Sequence, residues 1–587
     1  MDQVITAKHS STAFARDLRP YLAFLYPDHD PDVLASDVIA AFWPQGSRRR
    51  KRGRTPGNTM WSQRDALLIT YGNTLKDGVH KPLDLLYDFL LGNLKGVING
   101  VHILPFFPFT SDDGFAVSDF RAVNPQLGDW PDINRIADEF KLMSDLVLNH
   151  VTSQGRWIND YRQGKAPYAR FFFEAAPDDD LGMVVRPRTT PLLREVETVH
   201  GPRHVWCTFS HDQIDLDFRN PEVLLEFLRI IRLHIDNGVQ IIRLDAVAFV
   251  WKEVGSPSIH LPQTHAIVKL MRLLCDYAVE PVVLLTETNV PKAENLSYFG
   301  DRDEAHVIYN FPLPPLILHA MMTGTAKHLA KWQRAMPPAP LGCAYLNFTA
   351  SHDGIGMRPA EGLLSAEDQA TVIDLVRKIG GLVSMRALPD GGEAPYELNT
   401  TFFEAMRETV HGAEAYHLAR FICSQTIVMS LEGIPAFYIH SLLATQNDHA
   451  SVEKRGMNRA INRHRWDYDD LRQRLANPGS MQAQVLSQMR TRLQLRRKQA
   501  AFHPNATQFT LPIADERVFG LWRQSIDRRQ SIFALHNVSD QTVTISDSTL
   551  NLIADLEWVD LISGDHIGTG DITLAPYQCR WISNVGH

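Results

Sequence analysis

Four polar clusters stand out, each at the end of a short apolar run. The first is Asp145 followed by Asn149 and His150, in the stretch DLVLNH. The second is Arg243 and Asp245, in IIRLDAV. The third is Glu287, in LLTETN, and the fourth is His352 with Asp353. Three acids drawn from distant parts of the chain could share one pocket. An ionised carboxylate in such a pocket could attack as a nucleophile. Residues two apart on a strand face the same way. Arg243 and Asp245 would therefore lie on one side of a strand, and the guanidinium is expected to keep the carboxylate ionised. Taken singly, each cluster also reads as a structural ion pair or a strand-end cap. The four together, in this order, point to chemistry.

Such clusters need elements that bring strand ends together. From Asp65 onward, apolar β-rich runs alternate with longer amphipathic stretches. Strands are expected at Ala66–Tyr71, Gly100–Pro105, Lys141–Leu148, Val239–Leu244 and Val282–Thr286. Helices are expected at Leu83–Gly92, Ile133–Phe140, Leu224–Ile235 and His265–Val279. Strands buried on both faces with helices between them are parallel. The choice is then an open doubly wound sheet or a (β/α)8 barrel. No Gly-rich phosphate fingerprint follows the first strand, which argues against a dinucleotide fold. In a barrel the strand C-termini meet at one face, where active sites form.

The remaining segments break this alternation. Residues 1–62 form an N-terminal extension, partly helical around Ala13–Leu25. The basic run Arg48, Arg49, Arg50, Lys51, Arg52 and Arg54 reads as a solvated linker. Residues 63–151, 211–353 and 411–504 carry the alternating pattern. Residues 152–210 form an insertion, and 354–410 an irregular loop region. Residues 505–587 alternate as an antiparallel β-domain, with runs at Val518–Trp522, Ser531–Val538, Gln541–Ile545 and Gln578–Ile582.

The bulk numbers exclude several classes. The chain has 587 residues and a net charge of −8, unlike the basic surface of a general nucleic-acid binder. Five scattered cysteines, Cys207, Cys275, Cys343, Cys423 and Cys579, read as reduced thiols without a disulfide frame or zinc pair. The N-terminal stretch lacks an uninterrupted apolar leader, and no apolar run approaches the ~18–20 residues of a membrane span. The expected location is the cytoplasm. The histidines show no metal-ligand spacing, and neither metal nor cofactor is expected.

The blocks DLVLNH, IIRLDAV, TETN and ASHD resemble the four sequence blocks of the alpha-amylase family, as do GVHILPFFPF, IDLDFRNP and GIPAFYI. The likeness covers roughly residues 66–500, and the last β segment fits the family's C-terminal domain. Within the family the chain is similar to the sucrose phosphorylase group, through TSDDGF, RPR at 186–188, RLDAVAFVWKEVG, FPLPPLILHA, SHDGIG, PYELN and NRAINRH. The stretches ETNVPKAENLSYFG and GMVVRPRTTPLL, with the N-terminal extension, resemble the glucosylglycerate phosphorylases of that group.

The resemblance implies a (β/α)8 barrel with a small domain B at 152–210. It implies a retaining enzyme, whose two carboxyls stand ~5–5.5 Å apart. Position by position, it makes Asp245 the nucleophile, Glu287 the acid/base and Asp353 the third carboxylate. It places Asp112, Phe115, His150, Arg243, His352 and Arg459 around the glucose. Arg188 becomes the first candidate for phosphate, with the Tyr396 hydroxyl beside it. Asn289 stands where sucrose phosphorylases carry His, and Glu397 where they carry Gln; both positions belong to the acceptor region, and both changes count against fructose. A glycerate acceptor would need a cation, for which Arg186, Lys292 and Arg358 are candidates. Phe115 and Phe249 are candidates for the apolar platform under the sugar.

The expected reaction is reversible phosphorolysis of an α-glucoside, foremost 2-O-α-D-glucosyl-D-glycerate, through a covalent β-glucosyl enzyme. The partners are a small sugar and inorganic phosphate, with no nucleic acid or membrane, and domain B offers a candidate homodimer face. The alternatives are phosphorolysis of sucrose, sucrose 6-phosphate or glucosylglycerol, plain hydrolysis of α-glucosides, and a catalytically silent sugar-binding subunit.

Overall fold

A computed structural model describes residues 7–43, 60–278, 281–387, 392–412, 414–550, 557–568 and 570–584. The basic run from Arg48 to Arg54 lies outside the described residues.

Eight parallel strands close into a barrel. In chain order they are β1 (Leu67–Thr70), β2 (Gly100–Ile103), β3 (Lys141–Val147), β4 (Val239–Asp245), β5 (Val283–Thr286), β6 (Val307–Tyr309), β7 (Ala344–Asn347) and β8 (Ile434–Tyr438). Each strand pairs with its sequence neighbour, and β8 closes onto β1. The closed form, not the open sheet, is thus the one adopted. The apolar runs are buried throughout, as at Leu67–Thr70, because helices cover the outside and side chains fill the inside. The sequence pattern missed β6, β7 and β8. They are three to five residues long, too short to show a period.

Register carries the polar clusters to one level. Asp145 of β3 pairs with Arg243 of β4, and Val147 with Asp245. Arg243 in turn lies beside Leu285 of β5. Glu287, just past the end of β5, donates its backbone N–H to the carbonyl of Leu244 at 3.0 Å. The helices before and after β4 begin at Pro221 and Pro262, whose missing N–H costs nothing at a helix start. Asn220 caps the first of them by accepting from the Glu222 N–H.

The N-terminal extension is part of the main core. Helix α1 (Ala7–Leu25) begins earlier than the sequence pattern suggested and packs on α2 (Pro31–Phe42) and on the helix Pro262–Tyr277. Helix α2 also lies against Pro221–Asp236. Phe14, Leu18 and Leu22 are fully buried, each worth about 1.5–3 kcal/mol of burial. Phe14 meets Trp43 edge-on at 4.9 Å and Tyr277 at 4.4 Å. The Tyr277 hydroxyl bonds Asp17 at 3.0 Å. The two helices thus brace both helices that flank β4.

The segment after β3 contains a helix (Arg156–Arg162) and a hairpin, Leu193–Thr198 with Gly201–Trp206. The segment after β7 is more regular than the expected loop. It holds a three-stranded antiparallel sheet of Ile355–Gly356, Leu382–Ala387 and Glu393–Asn399, and a capped helix, Ala366–Lys378. The C-terminal part is an antiparallel sheet ordered Thr507–Thr510, Val518–Gln524, Ser531–Asn537, Cys579–Asn584, Trp558–Asp560, His566–Ile567. It has its own small core around Phe533 and Leu535.

Candidate active site

The strand ends open on one cleft of about 800 Å³, its mouth included. Asp245, Glu287 and Asp353 all line it, so the three acids face a single sugar-sized space. Asp112, Phe115, His150, Arg188, Phe249, Asn289, His352, Arg358, Tyr396 and Arg459 line it too. Asp112 and Phe115 come from the loop after β2, His150 follows β3, and Arg459 follows β8. Arg188 descends from the insertion, and Tyr396 comes from the sheet after β7.

Arg243 lies beneath the floor and is fully buried. Its Nη1 donates to Asp145 Oδ1 and to Asp245 Oδ1, each at 2.5 Å, and its Nε to the Tyr309 hydroxyl at 3.2 Å. His102 Nε2 bonds the other Asp145 oxygen at 2.6 Å. Burial opposes charge on Asp145, but His102 and Arg243 together hold it down at about 2. Asp145 is therefore the permanent counter-ion of Arg243.

The guanidinium does not by itself keep Asp245 ionised, as the sequence had suggested. Burial raises Asp245 to about 8, Arg243 opposes, and Glu287 and Asp145 add repulsion. Burial also raises Glu287, with Arg243 opposing and Asp353 adding. The two carboxyls titrate as a pair, and the upper value belongs to the pair. Burial and their mutual repulsion disfavour a second charge on the pair, so one of the two keeps its proton more readily than a free carboxyl would. Asp245 accepts the charged Arg243 N–H, whereas Glu287 Oε2 accepts the uncharged Ala246 backbone N–H at 3.1 Å. The stronger, charge-assisted contact places the negative charge on Asp245 and the proton on Glu287.

Asp353 behaves differently. Burial opposes its charge, but Arg459, Arg463 and Arg243 hold it below the usual carboxylate range. Arg459 Nη1 reaches Asp353 Oδ1 at 2.6 Å. Glu397 does not line the cleft, contrary to its expected place at the acceptor. Adjacent residues on a strand turn to opposite faces. Tyr396 faces the cleft, and Glu397 turns under it to grip Arg459 with both oxygens, at 3.0 and 2.8 Å.

Phe115 stacks flat on His352, with centroids 4.8 Å apart and planes 7° apart. The Phe115 backbone carbonyl receives His150 Nε2 at 3.1 Å. Burial pulls His150 down to about 4, so it is a neutral donor. Asp112 and Asp113 both take left-handed φ, 52° and 47°. Asp113 is locked by Arg463 Nη1 at 2.7 Å and by Arg455. Gly114 must be glycine, since a Cβ there would lie 2.8 Å from the Pro105 carbonyl. This turn presents Asp112 to the cleft.

Gln213 and Phe209 also line the cleft, and sequence reasoning missed both. Gln213 Nε2 lies 3.0 Å from His150 and 3.4 Å from Asp112 Oδ2. It sits beside the IDLDFRNP stretch, which was the one available signal. Of the three candidates for a glycerate cation, Arg358 alone lines the cleft. Lys292 donates to the Ala335 carbonyl at 3.2 Å, and Arg186 lies outside the lining. Away from the cleft, His319 and His328 each reach Asp368 at 3.2 Å. These three are the described group that could hold a metal, which their sequence spacing had hidden.

Residues 84–353 match the alpha-amylase catalytic domain. The chain is 44% identical over 570 residues to a glucosylglycerate phosphorylase of Spirochaeta thermophila, covering 96% of this chain and 95% of the other. The chain belongs to the alpha-amylase family. A glucosylglycerate phosphorylase of Escherichia coli is 38% identical to this family member over 524 residues, covering 89% and 92%. Among solved structures, a sucrose 6F-phosphate phosphorylase from Thermoanaerobacter thermosaccharolyticum superposes with a TM-score of 0.70 at 24% identity, covering 81% of this chain and 94% of that one. It shares the alpha-amylase family fold described above.

Proposed function

We propose that the protein is a retaining glycoside phosphorylase acting reversibly on 2-O-α-D-glucosyl-D-glycerate. One observation carries the reading. Three arginines line the cleft that holds the Asp245–Glu287 pair; Arg459 holds Asp353 and Glu397, and Arg188 and Arg358 have no carboxylate partner among the described residues. Unpaired guanidiniums suit anionic reactants, here phosphate and a carboxylate-bearing acceptor. The similarity to named glucosylglycerate phosphorylases supports the same substrate.

Asp245 attacks the anomeric carbon while the bond to the glycerate oxygen breaks, and Glu287 gives that oxygen its proton. The glucosyl group then rests on Asp245 as a β-ester. Phosphate enters where glycerate left and attacks the same carbon. Glu287, now a carboxylate, takes the phosphate proton. Two inversions give α-glucose 1-phosphate. Asp353, kept ionised by Arg459 and Arg463, holds sugar hydroxyls and offsets the positive charge of the transition state. Asp112, His150 and His352 hold the remaining hydroxyls against Phe115 and Phe249. Arg188, its guanidinium 5.3 Å above the Tyr396 ring, takes the phosphate, with the Tyr396 hydroxyl beside it.

Five buried thiols support a cytoplasmic location. Among the described residues no helix is long and apolar enough to cross a membrane.

The test supplies glucosylglycerate with and without phosphate and identifies the sugar product. Phosphate-dependent release of α-glucose 1-phosphate is expected. Release of free glucose at the same rate in both cases would make the protein a hydrolase.

A further inference from the structure

Arg358 opens a short turn, Arg358–Ala360, just beyond the strand Ile355–Gly356. Gly356, two residues earlier, backs onto Asn289 from the segment after β5. A methyl group at 356 would lie 3.1 Å from Asn289 Nδ2 and 3.3 Å from its Oδ1. The same backbone segment therefore seats Asn289 and carries Arg358. Asn289 Oδ1 is buried and accepts no hydrogen bond from the described residues. An amide oxygen left so is costly unless a ligand satisfies it. The wall thus offers a cation with no carboxylate partner among the described residues and a vacant acceptor, both lining the cleft.

That combination asks for a small molecule with an anionic group and a hydroxyl on neighbouring carbons. A neutral polyol leaves Arg358 unmatched. A carboxylate without a second hydroxyl leaves Asn289 Oδ1 unmatched. We infer that Arg358 and Asn289 together determine the acceptor: the guanidinium takes the carboxylate of a dihydroxy acid, and Asn289 Oδ1 accepts from its 3-hydroxyl. The 2-hydroxyl is then left to face Glu287 and the anomeric carbon. Arg188, brought from the insertion and set over Tyr396, is left to phosphate. The assignment rests on the phosphorylase reading above and adds the residues that choose the acceptor.

The experiment runs the reaction from α-glucose 1-phosphate and measures kcat/KM for three acceptors. D-glycerate has both groups, D-lactate lacks the 3-hydroxyl, and glycerol replaces the carboxylate with a neutral carbinol. The unaltered enzyme should prefer D-glycerate to each of the others. Arg358→Gln should shrink the glycerate-to-glycerol ratio by ~10–100-fold while the glycerate-to-lactate ratio holds. Arg358→Lys should keep more of the first preference, because the charge survives. Asn289→Ala should do the reverse, shrinking the glycerate-to-lactate ratio while the glycerate-to-glycerol ratio holds. Gly356→Ala should resemble Asn289→Ala, since its methyl would displace the amide.

Ratios in Arg358→Gln equal to those of the unaltered enzyme would overturn the assignment and leave the phosphorylase reading standing. So would an equal loss for all three acceptors in both variants, which is what mere structural damage would produce. An unaltered enzyme that releases phosphate only to water, whatever the acceptor, would overturn both readings.

Discussion

Glu397 grips Arg459 through two parallel hydrogen bonds, Nε to Oε2 at 3.0 Å and Nη2 to Oε1 at 2.8 Å. The third nitrogen, Nη1, is thereby aimed at Asp353. Glu397→Gln keeps the shape and removes the charge, so one of the two bonds must weaken. We expect kcat/KM for the glucoside to fall ~10–100-fold, the range for losing a bond to a charged group. The preference among acceptors should not move. Steady-state kinetics with two acceptors checks both parts, and an altered preference would return Glu397 to the acceptor site.

Asp245→Asn should abolish turnover, by roughly 10⁴-fold or more, while the far-ultraviolet spectrum and melting profile remain those of a folded protein. Near-normal activity would remove Asp245 from its role. Glu287→Gln should cost ~10²–10⁴-fold with natural glucosides. It should cost much less with a donor such as α-glucosyl fluoride, whose leaving group needs no proton. Equal losses with both donors would show that Glu287 is no acid.

The pH dependence follows from the shared proton. The working form carries one proton on the pair. As pH rises through the raised upper value of the pair, Glu287 loses the proton that it must donate, and kcat/KM should fall. As pH drops through the lower value of the pair, Asp245 becomes protonated, and kcat/KM should fall again. The basic limb should vanish in Glu287→Gln. Its persistence there would assign that limb to another group.

Acid stability should report Asp145. Its carboxyl titrates at about 2 in the fold, against ~3.9 in an unfolded chain. A depressed carboxylate stabilises above the unfolded value, and the effect fades as pH falls through the folded one. The contribution is about 2–3 kcal/mol at neutrality, lost between pH 4 and pH 2. Asn at 145 should flatten that part of the curve of unfolding free energy against pH. An unchanged slope would mean that other groups dominate acid unfolding.

Leu18→Ala should destabilise the protein by about 2–5 kcal/mol, as for other fully buried leucines, and lower its melting temperature. The Michaelis constant of the surviving enzyme should not change, because α1 lies on the outside of the barrel. A silent substitution would show that the helix does not hold the core.

The strand ends were legible because β1 to β5 are mostly apolar runs that give way to polar residues. Asp145 and Arg243 lie near the ends of their runs, Asp245 ends its strand and Glu287 follows one, so their convergence follows from the barrel. The direction in which a side chain turns was less legible. Glu397 and Tyr396 are neighbours in sequence, yet strand alternation sends one to Arg459 and the other to the cleft. His102, the second partner of Asp145, sits inside GVHI and is indistinguishable there from a buried core residue. Its meaning depends on the register of β2 against β3, which pairs His102 with Met143 and brings its ring to Asp145. The ionised Asp245 was legible from Arg243 two residues away, but the burial that raises both Asp245 and Glu287 and leaves a proton on the second was not, because it is a property of the folded cleft.

The bracing of the barrel by α1 and α2 bears on how this enzyme could be shortened. A version cut to begin at Trp61 would keep every group that lines the cleft, and on paper would look complete. It would also leave Tyr277 and the outer flank of Pro221–Asp236 bare to water. Such a trimmed protein should clump in concentrated solution before it loses its turnover, so its shelf life would suffer first.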